Sequence, residues 1–524
     1  MSSNEKAESR IQNPECGGSA ARGENLEPRI ENLEEKRGGA LPQALIVDPA
    51  SGGTPVASPP PALLSGVKQS GSSLTANPGA PGLSEAKPSA ADPFFSGRKH
   101  YPALDGLRAL AIIGVIGLHF GNVIKHSQAA AGGPVALGLF KVFHHGAWGV
   151  DLFFVLSGYL ITGILYDAKG QAQYFRNFYA RRTLRIFPLY YGVLAIELLI
   201  LLIIKFGFPH AWLRLHNPQK LWTAMPWFWS YTTNIGMDFF HVHAVLQGHF
   251  WSLAVEEQFY LVWPLLVFFL PWRALVRACL ALVALAFALR FLLAGIGNSF
   301  AAYSFTPCQF DALGLGALIA LAVRNPLSHA WMGKYALRVG VAAGLLTLAV
   351  IVSAVAFQLD PTFLGTQNVR LAVGATHAAR VRFGSDAWLS AGLYAPLDVA
   401  FAALLAAVVT GSSAGLQRIF SWKPLRALGG YSYGLYVFHF IVFMILGNLL
   451  IHFPRIRNAT TNQMLPAIGL LLTNLVISLT LAVVSFHLYE KRFLKLKRNF
   501  PERGAAGARG GSARPTTAGA TGQS

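Results

Sequence analysis

From about residue 99 onward, long apolar runs alternate with short polar interruptions. Ten runs are long enough to span a bilayer, near 103–124, 146–166, 185–206, 249–270, 273–294, 305–323, 335–357, 396–412, 431–452 and 465–488. At 1.5 Å per residue, about twenty apolar residues in a helix cross the roughly 30 Å of hydrocarbon. In lipid a helix satisfies its own backbone hydrogen bonds, whereas loops and open strands do not. The pattern therefore predicts an all-α polytopic membrane bundle of about ten transmembrane helices. The eighth run is short, and Glu256 and Glu257 interrupt the fourth.

Residues 1–97 show no such pattern. They are rich in Gly, Pro, Ser, Ala and Glu, as in PASGGTPVASPPPALLSG. Such a segment buries too little apolar surface to offset its chain entropy, so a disordered N-terminal tail is expected. It has no apolar stretch followed by a cleavage site, so it does not read as a signal peptide. The membrane domain covers 98–498, and 499–524 reads as a second disordered tail.

Composition narrows the class. The chain has 524 residues, is 53% hydrophobic and only 13% charged, which does not fit a soluble globular protein. Its net charge is +19, but the part before Lys99 holds 11 acids and 9 bases, and the rest 13 acids and 34 bases. These bases flank apolar runs, which points to membrane topology and anionic headgroups and away from nucleic acid. Placing the N-terminus inside gathers Arg176, Arg181, Arg182, Arg185, Arg273, Arg277, Arg324, Lys423, Lys491 and Lys495 in inner loops. Both termini are then cytoplasmic and the protein sits in the inner (cytoplasmic) membrane. Three cysteines lie far apart, without disulfide or metal-ligand spacing, and no metal site is expected. Two outer loops, about 207–248 and 358–395, are long. The first carries His210, Trp212, His216, Trp222, Trp227 and Trp229, which suit either a lid or headgroup anchoring.

Five clusters of polar residues within these runs are candidates for chemistry. In YPALDGLRALAIIGVIGLHF, Asp105, Arg108 and His119 are the strongly polar groups. Arg108 and His119 are eleven steps apart, three helical turns and about 20°, so both leave one face roughly 16 Å apart along the axis. Ionisable groups in a bilayer are costly and mark sites by default. In GAWGVDLFFVLSGYLITG, small residues suit close helix packing, while Asp151 and Ser157 are polar. In FYARRTLRIFPLYY, Arg181, Arg182 and Arg185 form a cluster that suits phosphate, although inner-loop anchoring also explains it.

HFWSLAVEEQFY brings His249, Trp251, Ser252, Glu256 and Glu257 to the outer end of the fourth span. Adjacent carboxylates diverge by about 100°, so one is expected to face the bundle and the other the loop. A carboxylate facing His119 would orient its ring and raise its basicity. YSYGLYVFH supplies Tyr431, Ser432, Tyr436 and His439, a set that equally suits helix contacts. There is no P-loop, GxSxG elbow or HExxH.

Together and in this order, the clusters resemble the integral-membrane acyltransferase-3 family, the O-acetylase type that modifies bacterial surface sugars and antibiotics. The resemblance covers about Lys99 to Lys497. It implies transfer of an acyl group, usually acetyl from cytoplasmic acetyl-CoA, to a hydroxyl of an extracytoplasmic glycan or related acceptor. Acyl-CoA is then a co-substrate and no cofactor is held permanently. His119 would be catalytic, as base or acyl carrier, with Arg108 as its motif partner. Arg181, Arg182 and Arg185 would lie at the acyl-CoA end, and Glu256 or Glu257 in the active region. Asp105, Asp151, Ser157, Trp251, Ser252, Tyr431, Ser432 and His439 are supporting candidates, with Ser252 or Trp251 as oxyanion partner. Some relatives carry a fused SGNH hydrolase-like domain, and this chain reads as the stand-alone form. A competing class is a transporter of a sugar or organic acid, disfavoured by the lack of clear internal duplication. Oligomeric state is not legible.

Overall fold

The computed structural model describes residues 101–126, 148–207, 218–242, 247–356, 377–451 and 464–501. The expected tail over 1–97 lies outside them, as do 502–524 and, in the first of the two long loops expected to be outer, His210, Trp212 and His216.

The described chain is helical, without strands. In order it forms α1 (Pro102–His126), α2 (Trp148–Ala168), α3 (Tyr174–Gly207), α4 (Pro218–Trp229), α5 (Thr233–Phe239) and α6 (Trp251–Phe269). It continues with α7 (Trp272–Gly295), α8 (Ser299–Ser304), α9 (Phe310–Ala322), α10 (Pro326–Ala356) and α11 (His377–Thr410). The last elements are α12 (Ala414–Phe420), α13 (Lys423–Gly430), α14 (Ser432–Ile451), α15 (Met464–Ser485) and α16 (Lys491–Leu496).

Each of the ten apolar runs lies on a helix. Among the described residues eight are long and apolar enough to cross a membrane, and nine if α13 and α14, bent by 69°, count as one span. The shortfall from ten is α9, with only 13 residues after the 3-10 turn Thr306–Gln309. It is buried in the bundle, where Arg290 of α7 meets its Asp311.

α3 starts well before its apolar run. Gly170 and Gln173 take positive φ and turn the chain out of α2, after which 174–184 contains neither Pro nor Gly. Its 34 residues extend about 51 Å, more than the hydrocarbon thickness. The N-terminal part of α3, which carries its arginines, therefore extends beyond the length needed to span.

Burial separates central from peripheral helices. The most apolar window of α2 is 72% buried and that of α10 only 17%, so α2 is central while α10 presents Leu345, Leu346 and Val352 to lipid. α2 and α9 touch backbone to backbone. A Cβ on Gly158 would fall 2.0 Å from the Leu313 carbonyl oxygen, and one on Gly316 2.1 Å from that of Val155. This is the close approach that small residues permit between membrane helices.

Outside the spans, α5 is pinned to α6. Gln258 Nε2 donates to the Tyr231 carbonyl at 2.8 Å and to Asn234 Oδ1 at 2.9 Å, and Asn234 Nδ2 donates to Thr306 Oγ1 at 2.9 Å. The described part of the long connection between α3 and α6 is thus a fastened helical cap over the start of α6.

Candidate active site

α1, α2, α3, α6 and α14 surround a cavity of about 110 Å³, room for several waters. Its basic lining is Arg108 from α1 with Arg182 and Arg185 from α3, and its acids are Glu256 and Glu257 of α6. Arg182 and Arg185, three residues apart, share a helix face. Asp105 accepts from Arg108 Nη1 at 2.8 Å, which fixes that guanidinium one turn along α1.

Glu256 is held from two sides. Ser157 Oγ of α2 donates to Oε1 at 2.6 Å, and the Tyr260 hydroxyl donates to Oε2 at 2.9 Å. Tyr260 also forms one wall for Arg182, whose guanidinium carbon lies 5.7 Å from its ring and 5.7 Å from that of Phe178. Glu257 lines the cavity too. Both carboxylates therefore line one space despite their 100° divergence.

At the other end of the cavity stand Ser252 and Tyr436. The hydroxyls of Ser252 and Tyr436 are in short contact, and both reach the His249 carbonyl, Tyr436 at 2.8 Å and Ser252 at 3.3 Å. Directly beyond these hydroxyls lies a group of imidazoles. His439 is 5.1 Å from His119 and 5.1 Å from His249, ring centre to ring centre, and Phe440 packs 4.5 Å from His119.

The structure thus gathers Arg108, Arg182, Arg185, Ser157, Ser252, Glu256, Glu257 and Ser432 around one space, and sets His119 with His439 just outside it. The remaining candidates are elsewhere. Arg181 donates to the Phe500 carbonyl at 2.9 Å and the Lys497 carbonyl at 3.3 Å, tying the chain after α16 to α3. Asp151 is fully buried within the electrostatic reach of Arg290 and Asp311. Trp251 packs between Phe154 and Tyr303. Tyr431 sits at the α13–α14 bend against Phe486. The carboxylate expected beside His119 is absent among the described residues: Glu256 is engaged with Ser157 and Tyr260 instead.

Sequence reasoning passed over Tyr260 and gave His249 no role. Tyr260 lies four residues after Glu256, on the same helix face, which is a legible signal. His249 lies in a 3-10 turn that its motif did not announce.

The profile of the family described as an acyltransferase domain matches residues 101–484. The chain belongs to the acyltransferase-3 family. Among its relatives, the peptidoglycan O-acetyltransferase OatA of Listeria monocytogenes is 30% identical over 355 residues, 66% of this chain and 49% of that protein. The putative peptidoglycan O-acetyltransferase YrhL of Bacillus subtilis is 27% identical, covering 75% of this chain and 55% of the relative. The O-acetyltransferase OatA of Staphylococcus aureus is 27% identical, with 67% and 52% covered. The chain spans about half the length of these curated relatives. No solved structure matches it. The family match covers all five polar clusters, so the cavity and the imidazole group fall inside the matched acyltransferase domain.

Proposed function

We propose that the protein is a membrane O-acetyltransferase. It takes acetyl from cytoplasmic acetyl-CoA and passes it to a carbohydrate hydroxyl of the cell envelope, with peptidoglycan as the acceptor class suggested by its relatives' names. The observation that carries this reading is a single cavity with three arginines at its lining and an imidazole group beyond its Ser252–Tyr436 end. Guanidinium groups suit the phosphates of a CoA, and the helical rise from Arg108 to His119 gives roughly 16 Å for its extended arm.

In this mechanism Arg182 and Arg185 hold the donor phosphates at the cytoplasmic side, and Arg108 faces the arm. His119 removes the proton of the acceptor hydroxyl as the oxygen attacks the acetyl carbonyl carbon. The new C–O bond forms, the C–S bond breaks, and the proton finishes on the sulfur of the departing CoA. The thioester is already activated, so proximity and proton removal do most of the work. Glu256, clamped by Ser157 and Tyr260, keeps α2 and α6 in register beside the arginines. The distribution of Lys and Arg supports cytoplasmic termini and an inner-membrane location.

The test is transfer of radiolabel from acetyl-CoA to muropeptides by membranes holding the full chain. Wild type should label them, and His119→Ala should lose transfer at unchanged membrane insertion. Normal labelling by His119→Ala would remove this assignment, and a wild type that moves sugar without consuming thioester would favour a transporter.

A further inference from the structure

His439 has a defined protonation pattern. Its Nδ1 lies 3.0 Å from the Leu435 carbonyl oxygen and 2.7 Å from that of Tyr436, one turn back along α14. Both partners only accept, so Nδ1 carries the proton and Nε2 of the neutral ring carries the lone pair. That Nε2 is buried and has no hydrogen-bond partner. A buried acceptor left without a partner is costly, so a donor is called for.

Two imidazoles stand beside it. Rings joined by an N–H···N bond of about 2.9 Å have centres about 5.2 Å apart, counting roughly 1.15 Å from centre to nitrogen in each. His119 and His249 both sit 5.1 Å from His439, near enough that a turn of the ring would complete such a bond to the unpartnered Nε2. His249 is the poorer donor. Neither of its ring nitrogens completes a hydrogen bond, and the carbonyls of Tyr436 and Val437 lie beside it to draw its one N–H. Its other nitrogen then offers a lone pair, which cannot bond to another lone pair. A shared metal does not explain the group either, since among the described residues no three His, Cys, Asp or Glu side chains are arranged to hold one.

We propose that His439 is the positioning residue of His119, accepting its N–H at Nε2 and so leaving the second nitrogen of His119 unprotonated and aimed at the acceptor hydroxyl. This is the orienting task that a carboxylate performs in hydrolase triads, here given to a neutral imidazole whose own tautomer is locked by the α14 backbone. It rests on His119 being the reacting imidazole, as proposed above. It also accounts for the lack of an acid beside His119.

Two substitutions test the positioning role, and the split between kcat and KM with the ring spectra separates it from packing. His439→Asn keeps a donor near the Nδ1 position, for the Leu435 and Tyr436 carbonyls, and removes the acceptor at Nε2. His439→Gln extends an amide oxygen to the Nε2 position. With the full chain in nanodiscs, acetyl-CoA and muropeptides, kcat should fall about 100-fold in the Asn variant and under about 10-fold in the Gln variant. Acetyl-CoA binding and KM should stay within about twofold in both. An Asn variant as fast as wild type, or a Gln variant slower than Asn, would overturn the proposal. Nitrogen-15 spectra of the histidine rings give a readout free of any acceptor. His439 protonated at Nδ1 with a donor on Nε2 supports the proposal, and His439 protonated at Nε2 refutes it. If wild type binds no acetyl-CoA, the acetyltransferase reading fails, while these spectra still decide the role of His439.

Discussion

Replacing Arg290 by Met probes the most heavily charged part of the interior. Arg290 and Asp311 are both fully buried, and the guanidinium meets that carboxylate twice, through Nε and through Nη2 at 3.0 Å. Nη1 donates to the Ala302 carbonyl at 2.9 Å, and the guanidinium carbon lies 4.5 Å from the Tyr394 ring. Asp151 and Asp398 are also fully buried, and none of their carboxylate oxygens has a hydrogen-bond partner. One cation thus faces three acids. Breaking a buried pair from one side costs about 3–5 kcal/mol, since the remaining charge stays uncompensated. Losing the Ala302 contact adds to this, although the terms overlap, so about 4 kcal/mol is expected for Arg290→Met. That is roughly a 1000-fold rise in the unfolded fraction. Steric trapping in bicelles measures it directly. Arg290→Met with Asp311→Leu should recover at least half of the loss, because replacing both partners by apolar groups is often near neutral. A single variant within about 1 kcal/mol of wild type would refute the argument.

The other predictions concern the donor end and helix packing. Arg182→Gln should raise the acetyl-CoA KM about tenfold, the worth of one charge-assisted contact near 1.5 kcal/mol. Arg181→Gln should leave that KM unchanged while loosening the chain after α16, seen as faster proteolysis near Phe500; equal KM effects would contradict the division of the two arginines. Gly158→Ala puts a methyl 2.0 Å from the Leu313 oxygen and must force α2 from α9. Overpacking of this kind costs about 1–3 kcal/mol, so a melting temperature equal to wild type would show that the two backbones are not in contact.

Much of this protein was legible before any coordinates. Length and uninterrupted apolarity determine a spanning helix locally, because lipid leaves the backbone no other partner, and so all ten runs lie on helices. Helical geometry alone placed Arg108 and His119 on one face, and the motif order alone pointed to the acyltransferase-3 family. What the chain could not announce was which helices face each other. Arg181, Arg182 and Arg185 read alike, yet only the last two reach the cavity, since their direction around α3 matters only once α6 and α14 stand beside it. Asp151 and Ser157 share a motif and a helix, but one was drawn to Arg290 and the other to Glu256. His439 looked solitary in sequence and lies against two other imidazoles in space, because contacts between residues hundreds of positions apart are set by packing and by nothing local.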